Sequence, residues 1–492
     1  MKQLIKAKPN HRKAYFEIVK ALEIGTYNVV ILLGLRKTGK TEILKQLAVR
    51  LGGFYHNFKE TKVSYEDTEA IFERDETLLL FDEVGYLENF DLFFGTLSQR
   101  AAETKKQVVI TSSSYGALKQ LGRENLGGGR SYKVELFPLS FEEYLYFSGR
   151  IPGYGAEYEP TMQDVDDFYR LKHIPPDMAF VIDRRYMEET FTDNDSTRAN
   201  YYHAERDIAL TKEQYISVLD IIAYTLNDNI SMKRLVGAQI GKQEFLSTKG
   251  IPMSQSLIGL ANKVVNKMAR DIEDGIGIGE LAHIVLYMYH AGFLFVDLIV
   301  NEDKRQISDN IVHDLARIKT YEEFKRFFTE FNFNVISPLI YTRLLVDLEG
   351  LAGKIYESEH LRGLLYELAV KSESVYQKGY DIYHGSHKYK TVAAEVDLWE
   401  RGLFLEATIT HKTQQDHYVD KVLRGHELIR VLTDDPKECA WNDNGIFYRI
   451  GYPRALLMIS NGSIRNLEAR KVDPDIKNVI SADPYQKPFD VG

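Results

Sequence analysis

The sequence has very little cysteine and no long hydrophobic run. A single cysteine, Cys439, occurs among 492 residues, which excludes an internal disulfide and fits a reducing cytosol. No apolar run is long enough to span a bilayer, and residues 1–13 lack the apolar core of a signal peptide. We therefore expect a soluble, cytoplasmic protein with no membrane partner.

Charge of one sign is also not in great excess. The formal net charge of −9 does not indicate a protein that coats nucleic acid over its whole surface. Hydrophobic residues make up 44% and charged residues 27%, values typical of globular proteins rather than of extended disorder. A chain of this length has room for about two to four domains.

A phosphate-binding loop is the clearest motif. Residues 28–33 are an apolar, β-branched run typical of a buried parallel strand, and residues 42–50 have helical spacing. The loop between them matches the pattern G-x-x-x-x-G-K-[ST]. Its glycines let backbone N–H groups surround an anion, and the following helix N-terminus adds its positive dipole end. This predicts a nucleotide-binding P-loop made of Gly34, Leu35, Arg36, Lys37, Thr38, Gly39, Lys40 and Thr41.

Two acids after a second buried strand complete a hydrolytic site for ATP and Mg²⁺. Lys40 is expected to reach the β- and γ-phosphates, and the Thr41 hydroxyl to hold Mg²⁺. Residues 77–83 read TLLLFDE, which places Asp82 at the Mg²⁺ shell and Glu83 where it would polarise the attacking water. An acidic pair can also simply cap a loop, but its position after a P-loop favours catalysis.

A third strand, predicted at 107–112, ends in serines, and arginines follow. Ser112 or Ser113 could sense the γ-phosphate from the sheet edge, although serines ending a strand are also ordinary turn formers. Arg123 and Arg130 each have two interpretations. Either is an arginine finger, acting in cis or from a neighbouring subunit by self-association, or it is a solvated loop arginine.

Changes in residue pattern along the chain predict four regions. These are a P-loop ATPase domain (1–148), a connector or lid (149–210), a helical region (211–345) and a C-terminal α/β domain (346–492). The helical region includes a helix, a break at Gly292 and a strand, which suggests a winged-helix unit. Such a unit either contacts nucleic acid or serves as a packing module.

Further elements follow from periodicity and turn signals. The first domain alternates strands and helices, as a doubly wound α/β domain does. Its strands are predicted at 28–33, 53–57, 77–82, 107–112 and 132–136, and a closing helix at 138–147 with Pro138 at its start. In the last domain we expect a helix at 359–370, a hairpin turning at Arg401 and Gly402, a helix at 416–432 and a strand at 454–460.

Three carboxylates suggest a second metal site. Asp397 shares a strand face with Glu395, Glu406 lies on the next strand, and Glu367 lies on the preceding helix. Nucleases of the PD-(D/E)xK type hold Mg²⁺ with acids so placed. On spacing alone the pattern is weak, because carboxylates on an exposed sheet face are usually just solvated.

Taken together, the motifs resemble a family of bacterial and archaeal ATPases that join an AAA+-like P-loop core to a winged-helix-bearing middle and a C-terminal nuclease-like domain of unknown function. The motifs that carry the resemblance are GLRKTGKT at 34–41, LLLFDEVGYLENF at 78–90, VVITSSS at 108–114, ELFPLSFEEYL at 135–145, GLLYELAV at 363–370, EVDLW at 395–399 and LEAT at 405–408. The resemblance implies a P-loop NTPase parallel sheet, a helical middle and a restriction-endonuclease-like α/β domain. It also implies ATP hydrolysis with Asp82 and Glu83 in their usual roles.

The sequence departs from the family at Thr408, where a lysine normally orients the attacking water. This departure puts cleavage in doubt, whereas metal binding by Glu367, Asp397 and Glu406 could survive it. Two functions follow. Either nucleotide state controls a nuclease-like module that acts on DNA or RNA, or the chain is a signalling or scaffold ATPase whose degenerate C-terminal domain recruits a protein partner.

Overall fold

The computed structural model of the chain describes two compact units. The described residues are 10–61, 63–87, 90–112, 131–174, 292–300, 331–340, 342, 359–378, 387–390, 395–400, 403–407, 429–433, 440, 441 and 447–466. Those up to Leu139, together with Gly292, belong to the first unit, and those at 140–174 and from Phe293 onward belong to the second.

A parallel sheet with the strand order β2-β3-β4-β1-β5 forms the first unit. Its strands are β1 (Val29–Gly34), β2 (Phe54–Asn57), β3 (Leu78–Asp82), β4 (Gln107–Thr111) and β5 (Ser131–Leu136). Its helices are α1 (Lys13–Ile24), α2 (Lys40–Leu51), α3 (Asp67–Phe72) and α4 (Phe90–Glu103). The predicted parallel α/β sheet and its five strands are thus confirmed, with strand ends displaced by one residue.

Strand β1 is central, and it is buried along its whole length. It pairs in parallel with β4 on one side and β5 on the other. Helices α1 and α2 cover one face with Ile18, Leu44 and Leu47, which are fully buried. A parallel strand covered on both faces reads as a continuous apolar run, which is why this strand was predictable. The arrangement brings the loops that follow β1, β3 and β4 to one edge of the sheet.

The second unit begins with helix α5 (Phe141–Phe147), followed by α6 (Met162–Tyr169). The prediction that the helix starts at Pro138 is wrong. Ser140 is its N-cap, in a capping box whose side chain accepts a hydrogen bond from the Glu143 amide. A capped serine with a glutamate three residues later is a stronger start signal than a preceding proline. The predicted domain boundaries, such as the one at residue 148, stay predictions.

The C-terminal part of the second unit contains a mixed sheet in the order β12-β13-β11-β10-β9-β8-β6-β7. Its strands are β6 (Leu294–Val300), β7 (Phe331–Val335), β8 (His387–Lys390), β9 (Glu395–Glu400), β10 (Leu403–Ala407), β11 (Ile429–Thr433), β12 (Ala440–Trp441) and β13 (Phe447–Gly451). Helices α7 (Glu359–Lys378) and α8 (Tyr452–Ser460) accompany it. The predicted helix beginning at 359 and the β9–β10 hairpin are confirmed.

Two predictions for this region are wrong. Residues 429–432, assigned to a helix, lie in β11, and 454–460, assigned to a strand, lie in helix α8. Pro453 stands in the first turn of α8, and Ala455, Leu456 and Ile459 are buried at helical spacing. A short apolar run is compatible with either element, and here the proline and the spacing select the helix.

The winged-helix interpretation stays a prediction, because most of 211–345 lies outside the described residues. The strand expected after Gly292 is β6, which pairs with β7 and β8 in the mixed sheet. None of the helices in the described ranges is both long and apolar enough to cross a membrane.

Candidate nucleotide site

The P-loop follows β1 and leads directly into α2, as the motif predicted. Gly39, the N-cap of α2, has φ +105°, a conformation that side chains other than glycine rarely adopt. Lys37 also has a positive φ of 60°. These left-handed positions curl the backbone around the N-terminus of α2, and the first N–H groups of a helix favour an anion.

Lys40 lies beneath this loop and is almost completely buried. Its Nζ donates hydrogen bonds to the carbonyl oxygens of Gly34 and Leu35, both at 2.8 Å. Burial lowers the pKa of Lys40 to about 8, and the nearby Glu83 and Asp82 carboxylates oppose that shift. The two acceptors of these hydrogen bonds are neutral carbonyl groups, and a phosphate anion would be a stronger partner.

The acidic pair ends β3 as predicted. Asp82 is 1% exposed. Burial raises the pKa of Asp82, whereas the nearby Thr41 hydroxyl lowers it. Glu83 follows in the left-handed region with φ 53°. For a residue other than glycine this conformation is strained, and strain of this kind clusters at functional sites.

Strand β2 supplies two site residues that were not predicted from the sequence. The Tyr55 hydroxyl donates to Asp82 Oδ2 at 2.9 Å, and Asn57 Nδ2 donates to the same oxygen at 3.3 Å. Asn57 pairs directly with Asp82 in the β2–β3 register. The carboxylate is thus oriented from the neighbouring strand, which is how the partners of a metal ligand act.

The sensor and arginine-finger candidates divide between described and other residues. Ser112 is buried directly after β4, at the edge of the sheet where the P-loop lies. Ser113, Arg123 and Arg130 lie outside the described residues, so the predictions for them are unchanged.

The C-terminal carboxylates lie on the elements that were predicted for them. Asp397 precedes Leu398 on β9 and Glu406 follows Leu405 on β10, and these two leucines pair in antiparallel register. Glu367 lies on α7 and forms an ion pair with Lys371 at 2.5 Å. Thr408 is outside the described residues. Among the side chains that the structure describes, no three His, Cys, Asp or Glu residues form a metal-binding group.

Comparison with known proteins identifies the first part of the chain. Residues 26–145 match the family model described as an AAA domain. No curated protein is significantly similar to the chain.

Several solved structures show a distant likeness. A Walker-type ATPase of Pyrococcus abyssi is 14% identical, with a TM-score of 0.33 over 64% of this chain and 100% of that one. The ORC2 protein of Aeropyrum pernix is 13% identical, with a TM-score of 0.33 over 72% and 98%. The RuvB Holliday junction branch migration motor of Thermotoga maritima is 16% identical, with a TM-score of 0.26 over 64% and 94%. Likenesses this low support no inference about activity, substrate or partner.

The sheet order, the P-loop between β1 and α2, and the acids after β3 are the parts that a P-loop ATPase needs. The family match over residues 26–145 agrees with these features, so the chain contains a P-loop ATPase domain of the AAA type.

Proposed function

We propose that the chain binds ATP with Mg²⁺ at the P-loop and hydrolyses it. The position of Thr41 beside Asp82 is the observation that carries this proposal, because it brings a hydroxyl oxygen of the P-loop close to a carboxylate oxygen at the end of β3. Mg²⁺ is held by such oxygens together with water and substrate phosphates, so the residues present fit this ion. Lys40 would bind the β- and γ-phosphates, exchanging two carbonyl partners for anionic ones.

Glu83 is the proposed group that polarises the attacking water. It follows Asp82 directly, and its carboxylate is near enough to Lys40 to raise the pKa of that lysine. It is less buried than Asp82, so it suits contact with water. Ser112 is the proposed γ-phosphate sensor, and Arg123 or Arg130 the proposed finger, from within the chain or from a second copy.

Two substitutions test this assignment. Lys40→Ala should abolish ATP binding, and Glu83→Gln should retain binding while hydrolysis falls by roughly 10²–10⁴-fold. Glu103→Gln, which changes an exposed glutamate at the end of α4, is the matched control and should hydrolyse ATP at the normal rate. ATP turnover by Glu83→Gln at the rate of the control would refute the role of Glu83.

We further propose that nucleotide state controls the C-terminal domain at 346–492, a nuclease-like module that acts on DNA or RNA whether or not it still cleaves them. The register of β9 and β10 supports this proposal by bringing Asp397 and Glu406 to opposed positions, while α7, which carries Glu367, packs against β10. Metal-dependent cleavage and binding of DNA and RNA should be measured with and without ATP, for wild type and Asp397→Ala. If the wild-type protein shows neither cleavage nor binding of nucleic acid in any condition, the proposal is refuted.

The alternative is a signalling or scaffold ATPase whose degenerate C-terminal domain recruits a protein partner. Two observations favour it, namely the threonine at position 408 and the Glu367–Lys371 ion pair, in which a nearly buried ammonium already neutralises one of the three acids. A pull-down that recovers nucleic acid but no stable protein partner would count against this alternative.

A further inference from the structure

One arginine contacts both the P-loop and the segment through which the chain leaves the first unit. Arg12, directly before α1, is 5% exposed. Its Nη1 donates to the carbonyl oxygen of Thr38 at 2.8 Å. Its Nη2 donates to the carbonyl oxygens of Phe137 at 2.9 Å and Pro138 at 3.4 Å. A single planar guanidinium therefore fixes the spacing between the P-loop and residues 137–138.

The Thr38 carbonyl matters because of the peptide unit to which it belongs. This carbonyl and the Gly39 N–H are parts of one planar trans peptide, so they point in opposite directions. By holding the Thr38 oxygen, Arg12 also sets the direction of the Gly39 N–H. That N–H is at the N-terminus of α2, where the phosphates of a bound nucleotide would be held.

The P-loop and the exit segment are also packed backbone to backbone. Gly34 is paired with Leu136, the last residue of β5. A Cβ added at Gly34 would lie 2.5 Å from the Leu136 carbonyl oxygen, so the two segments have almost no room to move independently. A rotation of the peptide planes in the P-loop would therefore also shift the backbone of residues 137–138.

Residues 137–138 lead along the chain to α5, whose first amides are bound to the C-terminal helices of the second unit. The Phe141 amide donates to Glu373 Oε1 of α7 at 2.7 Å, and the Glu142 amide donates to Ser460 Oγ of α8 at 3.0 Å. All four residues are buried. The Glu373 carboxylate is stabilised by its position at the N-terminus of α5. A movement of that end of the helix would therefore weaken these hydrogen bonds.

We propose that Arg12 is a positioning residue that orients the Gly39 N–H for phosphate binding and couples the nucleotide state of the P-loop to the start of α5. This inference rests on the proposed binding of ATP at the P-loop. It adds a physical link through which ATP would act on the second unit.

The test combines ATP affinity with amide exchange. Arg12→Gln removes the charge and the fork of donors, and Arg12→Lys keeps the charge but replaces the fork with a compact ammonium. Lys20→Gln, an exposed change on α1, is the matched control. We expect Arg12→Gln to bind ATP roughly tenfold more weakly, because the Gly39 N–H would no longer be oriented to donate a hydrogen bond to a charged phosphate. The control should bind like wild type.

Hydrogen exchange of residues 137–147 is then compared with and without saturating ATP, at concentrations matched to each affinity. Wild type and Lys20→Gln should show a several-fold change in exchange rate at these amides on ATP binding, and both Arg12 variants should show none. A merely structural role for Arg12 would lower stability without removing this response in the ATP-saturated protein.

Two outcomes overturn the inference separately from the proposed function. Wild type that binds ATP with no change at residues 137–147 would show that no coupling exists, a result that depends on no variant folding. An undiminished change in Arg12→Lys and Arg12→Gln would show that coupling does not pass through Arg12. Wild type that fails to bind ATP would overturn the proposed function, and this inference with it.

Discussion

Replacing Gly34 with alanine should push two paired strands apart. The added Cβ would lie 2.5 Å from the carbonyl oxygen of Leu136 and 3.0 Å from its Cβ, whereas ordinary contact begins at 3.4 Å. The nearest atom belongs to the backbone of β5 rather than to the end of a flexible side chain. Relief of the clash therefore requires β1 and β5 to separate, at the point where the P-loop begins.

The expected loss of stability follows from the two consequences of that separation. Overpacking that shifts backbone costs about 1–3 kcal/mol. Weakening one hydrogen bond of the β1–β5 ladder adds about 1 kcal/mol. The first unit of Gly34→Ala should thus lose about 2–4 kcal/mol of unfolding free energy. Gly95→Ala is the matched control, because no atom lies within 4 Å of its new Cβ, and alanine within α4 should add about 0.5–1 kcal/mol.

The assay must report on the first unit alone. Both tryptophans, Trp399 and Trp441, belong to the second unit, so tryptophan emission does not follow the first. Native-state hydrogen exchange of the β1 and β5 amides measures its opening free energy directly. If those amides in Gly34→Ala exchange at the wild-type rate, the close approach of β1 and β5 at Gly34 is refuted.

Three further predictions concern the site and the second unit. Burial lowers the pKa of Lys40 to about 8 from 10.5, so ATP binding above pH 8 should require uptake of a proton. ATP affinity should therefore fall by up to about tenfold per pH unit above pH 8. Calorimetry at pH 9 in buffers of different ionisation enthalpy measures this uptake, and finding none would contradict the prediction. Tyr55→Phe removes a hydrogen-bond donor to Asp82, so hydrolysis should require a roughly tenfold higher Mg²⁺ concentration for half-maximal rate, at unchanged ATP affinity. A titration of the hydrolysis rate with Mg²⁺ measures this. Arg150→Gln leaves Asp164 and Asp167 buried without their shared guanidinium and should cost about 3 kcal/mol in a denaturation followed by tryptophan emission, whereas loss of the half-exposed Lys172 should cost under about 1 kcal/mol.

The parts of the fold that could be predicted are those determined by residues that are close together in the sequence. Residues 28–48 contain the whole sequence of strand, loop and helix, so β1, the P-loop and α2 follow from one stretch of chain. The carboxyl-edge position of Asp82 follows from its place at the end of an apolar strand. In each case the residues that determine the structure lie within a few positions of one another.

Predictions failed where short segments were compatible with two structures. Residues 454–460 are as apolar as a strand, and only Pro453 and the spacing of the buried positions indicate a helix. Residues 429–432 have the opposite problem, because β11 is determined by its partners β10 and β13 rather than by its own periodicity. Pairing partners of this kind are not visible in the segment itself.

The long-range contacts of the site could not be predicted, although they decide how it works. Asp82 was assigned to Mg²⁺ from its position, yet burial raises its pKa, which by itself favours the neutral form that binds metal poorly. Donors from Thr41 and Tyr55 oppose that effect, and Tyr55 comes from a strand to which no function was assigned. Arg12 contacts Thr38 and Phe137, which lie 26 and 125 positions away in sequence. Neither a tyrosine nor an arginine has a distinctive sequence signal before folding brings it to its partner. The candidate catalytic groups could therefore be predicted from the motif, whereas the residues that support them could not.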